Sequence, residues 1–196
     1  MNKAVVLELS GETAFFKKPD VNANIYFSYS HIHKVALLGL FGAVLGFSGY
    51  QTQSREIQEF GDHDENKFPE FYQALKHLKI AVVPHGERGH FRRKIQNFNN
   101  SVGYASQEAG NNLIVREQWL EKPHWTIYVL DDSSRSYREL ERTLLEKRAV
   151  YLPYLGKNDH PAIITDVRTI EVSELTGDEQ QIDSLFFVQR MLSLAK

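Results

Sequence analysis

The 196-residue chain contains no cysteine, only two methionines and two tryptophans, and its formal charge is just −2. Without cysteine there can be no disulfide, no thiolate metal site and no cysteine nucleophile. With so little net charge, nucleic-acid binding would have to rest on a local patch. The Gly-x-x-x-x-Gly-Lys-Ser/Thr loop, the Gly-x-Ser-x-Gly elbow and the His-Glu-x-x-His helix are all missing, which removes three common enzyme signatures. No apolar run reaches the roughly 18–20 residues that cross a bilayer. The opening Met-Asn-Lys-Ala-Val-Val-Leu-Glu-Leu-Ser lacks the apolar core of a signal peptide, so a cytoplasmic location is expected. Neither a repeat nor a low-complexity linker is visible.

What is present is a globular composition, 42% hydrophobic and 12% aromatic, of a size that suits one domain. Lys3–Ser10 alternates Val5, Leu7 and Leu9 with Val6 and Glu8, which predicts an opening strand. Gly11–Tyr29 reads as an irregular connection. Val35–Phe47 is uncharged and reads as a buried core helix capped by Ser30, or as a short membrane helix. Gly39, Gly42 and Gly46 fall on one side of it, where another backbone could approach closely.

Ser48–Asn66 is polar. Phe68, Phe71, Tyr72, Leu75 and Leu78 have helical spacing, and Ile80–Val83 reads as a short strand ended by Pro84. Gly86–Asn112 reads as a projecting hairpin or loop, with Gly103 and Gly110 as turn candidates. Leu113–Val115 and His124–Leu130 are strand-like. Ser136-Tyr-Arg-Glu139 has the form of a capping box, opening a helix whose Tyr137, Leu140, Leu144 and Leu145 share a face. Ala149–Leu152 and Ala162–Val172 read as closing strands. Strand–helix–strand repeated twice is the order of an α+β, ferredoxin-like fold, an antiparallel sheet with helices on one face.

The most distinctive stretch is Gly86–Asn100. Arg88, Arg92, Arg93 and Lys94 cluster there with Phe91 and Phe98, and Asn97, Asn99 and Asn100 follow. Cations meet phosphates, aromatic faces stack on unpaired bases and amides read base edges, so the mixture suits single-stranded RNA. The bland reading is a solvated hairpin with exposed charges. His85 and His90 flank the arginines, the mixture a metal-independent ribonuclease uses for proton transfer and phosphate stabilisation. His31 and His33 make a poor metal pair, and His63 between Asp62 and Asp64 reads as an exposed acidic turn. No metal and no cofactor are expected. An RRM-type module is disfavoured, since no Lys/Arg-Gly-Phe-x-Phe strand occurs.

Three ordered motifs carry a resemblance. They are Gly11-x-x-Ala14-x-Phe16-Lys17-x-Pro19 with Tyr29-Ser30-x-Ile32 running into Leu37–Gly46; Arg116-Glu117-x-x-Leu120 before Pro123; and Leu152–Lys157 followed by His160-Pro-Ala162. Together they resemble CRISPR-associated protein 5, and Tyr29–Lys34 looks most like its type I-B branch.

The resemblance implies a single RAMP domain over 1–196 with a β-hairpin thumb inserted at about 86–112. It implies a non-catalytic subunit of the Cascade surveillance complex that caps the 5′ handle of CRISPR RNA in antiviral defence. Implied partners are the backbone (Cas-seven) subunits, the large subunit and, through the complex, target DNA, with no membrane. In that role Arg88, Arg92, Arg93 and Lys94 hold handle phosphates, Lys17, Lys18 and Lys34 add charge, and Ser30 opens a phosphate site at the helix N-terminus. Asn97, Asn99, Gly156 and Lys157 are candidates for base contacts, and His31, His33, His90 and Phe91 complete the RNA-binding set. The rival reading, from the type I-C branch, is an endoribonuclease that processes precursor RNA through His85 and His90.

Overall fold

A computed structural model describes residues 2–20, 24–61, 67–100 and 113–173. Four strands form the main sheet: β1 (Asn2–Ser10), β3 (Ile80–Pro84), β6 (His124–Leu130) and β7 (Ile163–Val172), in the order β3-β6-β1-β7. Every neighbouring pair is antiparallel. With helices crossing between β1 and β3 and between β6 and β7, this is the ferredoxin-like arrangement expected from the order of elements.

The core lies between the sheet and its helices. Val5, Leu7 and Leu9 of β1 and Trp125, Ile127 and Val129 of β6 alternate onto that face and are fully buried. Against them pack α1 (Lys34–Leu45), α3 (Glu70–Leu75) and α4 (Arg135–Leu145). The apolar segment is therefore a core helix, with Leu37, Leu38, Phe41 and Val44 buried. Among the described residues no single helix is long and apolar enough to cross a membrane. The glycine stripe receives a side chain rather than a backbone: a Cβ at Gly42 would lie 2.5 Å from Phe71 Cβ.

Several local expectations are corrected. α1 begins at Lys34 and is capped by His33, whose ring accepts from the Ala36 N–H; Ser30 lies three residues before the cap position, and its hydroxyl accepts from Arg93. α4 is capped by Ser134, not Ser136. Asp131 and Asp132 accept from the backbone N–H groups of Ser133 and Ser134, which holds the loop so that the helix opens at Arg135. Tyr137, Leu140 and Leu144 are buried as expected, whereas Leu145 is exposed.

Ala149–Leu152 forms no strand. Its Val150 and Tyr151 N–H groups donate, at 3.0 Å, to the carbonyls of Val44 and Ala43 and so serve the end of α1. The polar stretch after Ser48 contains a further helix, α2 (Tyr50–Phe60), free of internal glycine and proline and with no buried residue.

A second sheet, ordered β2-β5-β4, joins β2 (Thr13–Ala14), β5 (Leu113–Glu121) and β4 (Arg93–Asn100). β4 and β5 form an antiparallel ribbon; β4 falls within the predicted Gly86–Asn112 hairpin, whereas β5, its partner, lies beyond it in the segment read as a separate strand. β5 runs well past Val115, because the charges of Arg116 and Glu117 do not end it: Glu117 is buried against Lys157. The segment at Tyr26 bridges Glu117, so the connection Gly11–Tyr29 is only partly irregular. Gly103, Gly110 and His63 lie outside the described residues.

Candidate nucleic-acid interface

At the base of the ribbon, residues distant in sequence meet. Arg93 Nη2 donates to Ser30 Oγ at 2.6 Å. The His31 ring meets Phe91 edge-on at 5.6 Å, and Phe91 meets Trp125 at 5.1 Å. Burial, and then the neighbouring His90 and Arg93, hold the His31 pKa below its usual value. His31 is thus neutral at physiological pH, with Nδ1 3.5 Å from the Trp125 indole nitrogen. The positive charge here comes from Arg93 and from the exposed Arg88 and Arg92, while exposed His90 adds a polar ring.

The strand period divides the basic run. Arg93, Asn97 and Asn99 share the exposed face of β4 with Arg116, the register partner of Asn97. Lys94 and Phe98 point to the other face, where Lys94 Nζ sits 5.6 Å from the Trp119 ring centre and Lys157 Nζ 5.4 Å from that of Phe98. Of the four cations read from sequence as one patch, Arg93 and Lys94 therefore lie on opposite faces of β4.

Beside the ribbon, an open cleft of about 1060 Å³ runs along α1 to the start of α2, with the loop at 151–157 on its other side, and is lined in part by Phe16, Lys17, Tyr26, His33, Tyr154 and Lys157. Lys17 Nζ sits 3.9 Å above the Tyr26 ring and Lys18 Nζ 5.9 Å from that of Tyr29, whose edge meets His33. Burial lowers the His33 pKa, which keeps the ring neutral and able to cap α1. Such a wall of rings and cations can stack bases and neutralise phosphates.

Other residues of the RNA-binding set have protein partners. Lys34 Nζ donates to the Lys76 carbonyl at 2.9 Å, turning away from the helix N-terminus. Lys157 pairs with Glu117 at 3.1 Å and lies 3.6 Å from Asp159. Gly156 is held at φ 93°, and a Cβ there would come 1.9 Å from the Phe15 carbonyl oxygen, so only glycine lets this loop close over β2. Within the same loop Leu155 is buried, whereas Leu152 is 90% exposed.

His85 and His90, weighed together as an acid–base pair, keep different company. His85 Nε2 lies 2.6 Å from Thr126 Oγ1 and 3.6 Å from Glu8 Oε2, beside His124. His90 stands with His31 and Phe91 at the ribbon base. The cluster of Glu8, His85, His124 and Thr126 went unread in sequence. Its one signal was Glu8, a carboxylate in the middle of an otherwise apolar strand.

No family model and no curated protein matches this chain. Among solved structures it is similar to a chain of a "CRISPR RNA-guided surveillance complex", at 14% identity and TM-score 0.50, over 80% of this chain and 58% of that one. It is also similar to a "Cas protein" at 14% identity and TM-score 0.45, over 79% and 57% of the two chains. A "CRISPR protein from Archaeoglobus fulgidus" matches at 8% identity and TM-score 0.40, over 87% and 65%. The chain therefore spans less than two thirds of the length of these structures. At such identity, what it shares with the first of them is the fold, an antiparallel α+β architecture.

Proposed function

We propose that this chain is a non-catalytic, RNA-binding subunit of a type I CRISPR surveillance complex, of the CRISPR-associated protein 5 kind and its type I-B branch. It grips the 5′ handle of the guide RNA and anchors the first backbone subunit and the large subunit, reaching target DNA only through the complex. The observation that carries this reading is the joining of the ribbon to the α1 approach. Arg93 bridges to Ser30 at 2.6 Å, and Lys17, Tyr26 and His33 line the cleft beside it. A single strand of RNA laid there meets cations for its phosphates and ring faces for its bases. The shared fold with a chain of a CRISPR RNA-guided surveillance complex supports the same reading.

The test is co-expression of the full chain with backbone subunits and guide, followed by binding of guides with native and scrambled handles. Stable co-purification and a preference for the native handle are expected. Indifference to the partners and to the handle would sink the reading. Repeat RNA incubated with the purified chain, with and without EDTA, should stay uncut. Cleavage at one position, lost in His85→Ala or His90→Ala with binding retained, would assign the processing endoribonuclease instead.

A further inference from the structure

Glu8, His85 and His124 stand together on the sheet face opposite the helices, and the RNA reading makes no use of them. Glu8 Oε2 lies 2.7 Å from His124 Nε2 and 3.6 Å from His85 Nε2. The two imidazoles stack with centres 4.5 Å apart and planes 23° from parallel. All three donor atoms fall within 4.8 Å of one another. We propose that these residues form a binding site for one divalent transition ion of the zinc class.

Two imidazoles and one carboxylate form a donor set that suits zinc, and that leaves a fourth position open to water or an anionic oxygen. Bonds of about 2.0–2.1 Å to a tetrahedral ion set donors roughly 3.3 Å apart. The observed separations of 2.7 and 3.6 Å bracket that value, and the two stacked rings must tilt relative to one another so that both planes meet the ion. Without an ion the cluster is a hydrogen-bonded chain, with His124 Nε2 2.7 Å from Glu8 Oε2 and His85 Nε2 2.6 Å from Thr126 Oγ1, so an ion would exchange these two contacts for bonds to itself. An ion among the three donor atoms, which lie within 4.8 Å of one another, takes a bond from each once both rings carry their proton on Nδ1.

The backbone holds the three residues in place. Glu8 lies opposite Thr126 and Ser10 opposite His124 in the β1–β6 register, and the His85 N–H donates to the His124 carbonyl at 2.9 Å. The ligands thus come from β1, from β6 and from the residue that follows β3, three neighbouring segments of one sheet. Thr126 Oγ1 donates to Glu8 Oε1 at 2.8 Å and fixes the carboxylate from behind, as hydrogen bonds to metal-bound carboxylates do. The side chains are 19% exposed at Glu8, 42% at His85 and 46% at His124, so an ion can enter from one side.

The test is direct and independent of RNA. The full chain is stripped with EDTA, dialysed, and titrated with zinc chloride by calorimetry and with cobalt(II) by visible absorption. One equivalent of zinc is expected, with the strong visible bands of low-coordinate cobalt. Glu8→Gln and His124→Ala should each abolish saturable uptake. Thr126→Val should weaken it by about 10–100-fold, and His90→Ala should leave it unchanged. Circular dichroism verifies folding, and His85→Ala serves if His124→Ala does not fold. A folded wild-type chain that takes up no zinc overturns the proposal, as does uptake unaffected by both Glu8→Gln and His124→Ala.

Discussion

Lys157 donates to both oxygens of the Glu117 carboxylate at 3.1 Å, tying the loop after Leu152 to β5 of the ribbon. Glu117 is 5% exposed and also accepts from the Trp119 indole at 2.8 Å. The lysine therefore works inward, neutralising a buried acid, before it can work on any ligand. Removing it strands that charge in a site poorly reached by water. Because the lysine is itself about a third exposed, Lys157→Met should cost about 1–3 kcal/mol rather than the full penalty of a deeply buried pair. Urea denaturation checks this, and adding Glu117→Gln should recover part of the loss.

The two faces of β4 should respond differently to charge reversal. If the exposed face holds RNA, Arg93→Glu and Arg116→Glu should weaken guide binding and flatten its salt dependence by about 0.7 per lost phosphate contact. Lys94→Glu, facing Trp119, should move the slope less. Equal slopes for all three variants would show that the period of the strand has no bearing on binding.

The chain should lose stability in mild acid. Burial lowers the pKa of His33 and His160 below 6.5, so the unfolded state takes up protons first and stability rises with pH across this window. The contribution is complete above about pH 6.5 and is lost progressively below it. Protonated His33 can no longer accept from Ala36, and protonated His160 would place charge on a buried ring 2.6 Å from Thr13 Oγ1. Denaturation midpoints at several pH values should show the decline. His33→Asn, which caps without titrating in this range, should reduce it.

Gly156→Ala should destabilise the fold by about 1–3 kcal/mol, since it needs a positive φ and its Cβ meets the Phe15 carbonyl. A thermal melt indistinguishable from wild type would mean that the loop is free to move away from β2.

Replacing the outlying apolar side chains should improve solubility. Leu152 is 90% exposed, next to Tyr151 at 59% and Val150 at 63%, an unusual amount of apolar surface for a chain that stands alone. Leu152→Ser with Val150→Ser should reduce self-association in sedimentation measurements. Under the proposed assembly role it should also weaken retention of partner subunits.

Much of this protein was legible in its sequence because hydrophobic periodicity is a local signal. The alternation in β1, the apolar run of α1 and the Tyr137–Leu140–Leu144 face each reported their element, and the order of elements fixed the sheet. Caps were less legible, because Ser30 and Ser136 are good cap residues in the abstract. Their places were taken by His33 and Ser134 because α1 begins only at Lys34 and α4 already at Arg135. The basic run also looked like one patch until pairing with β5 gave it two faces. Composition and local spacing, then, determined the strands, the core helix and the concentration of charge in Gly86–Asn100. Only the tertiary structure joined Glu8 to His85 and His124, and Ser30 to Arg93, because those pairings depend on strand register and chain crossing, which no local pattern encodes.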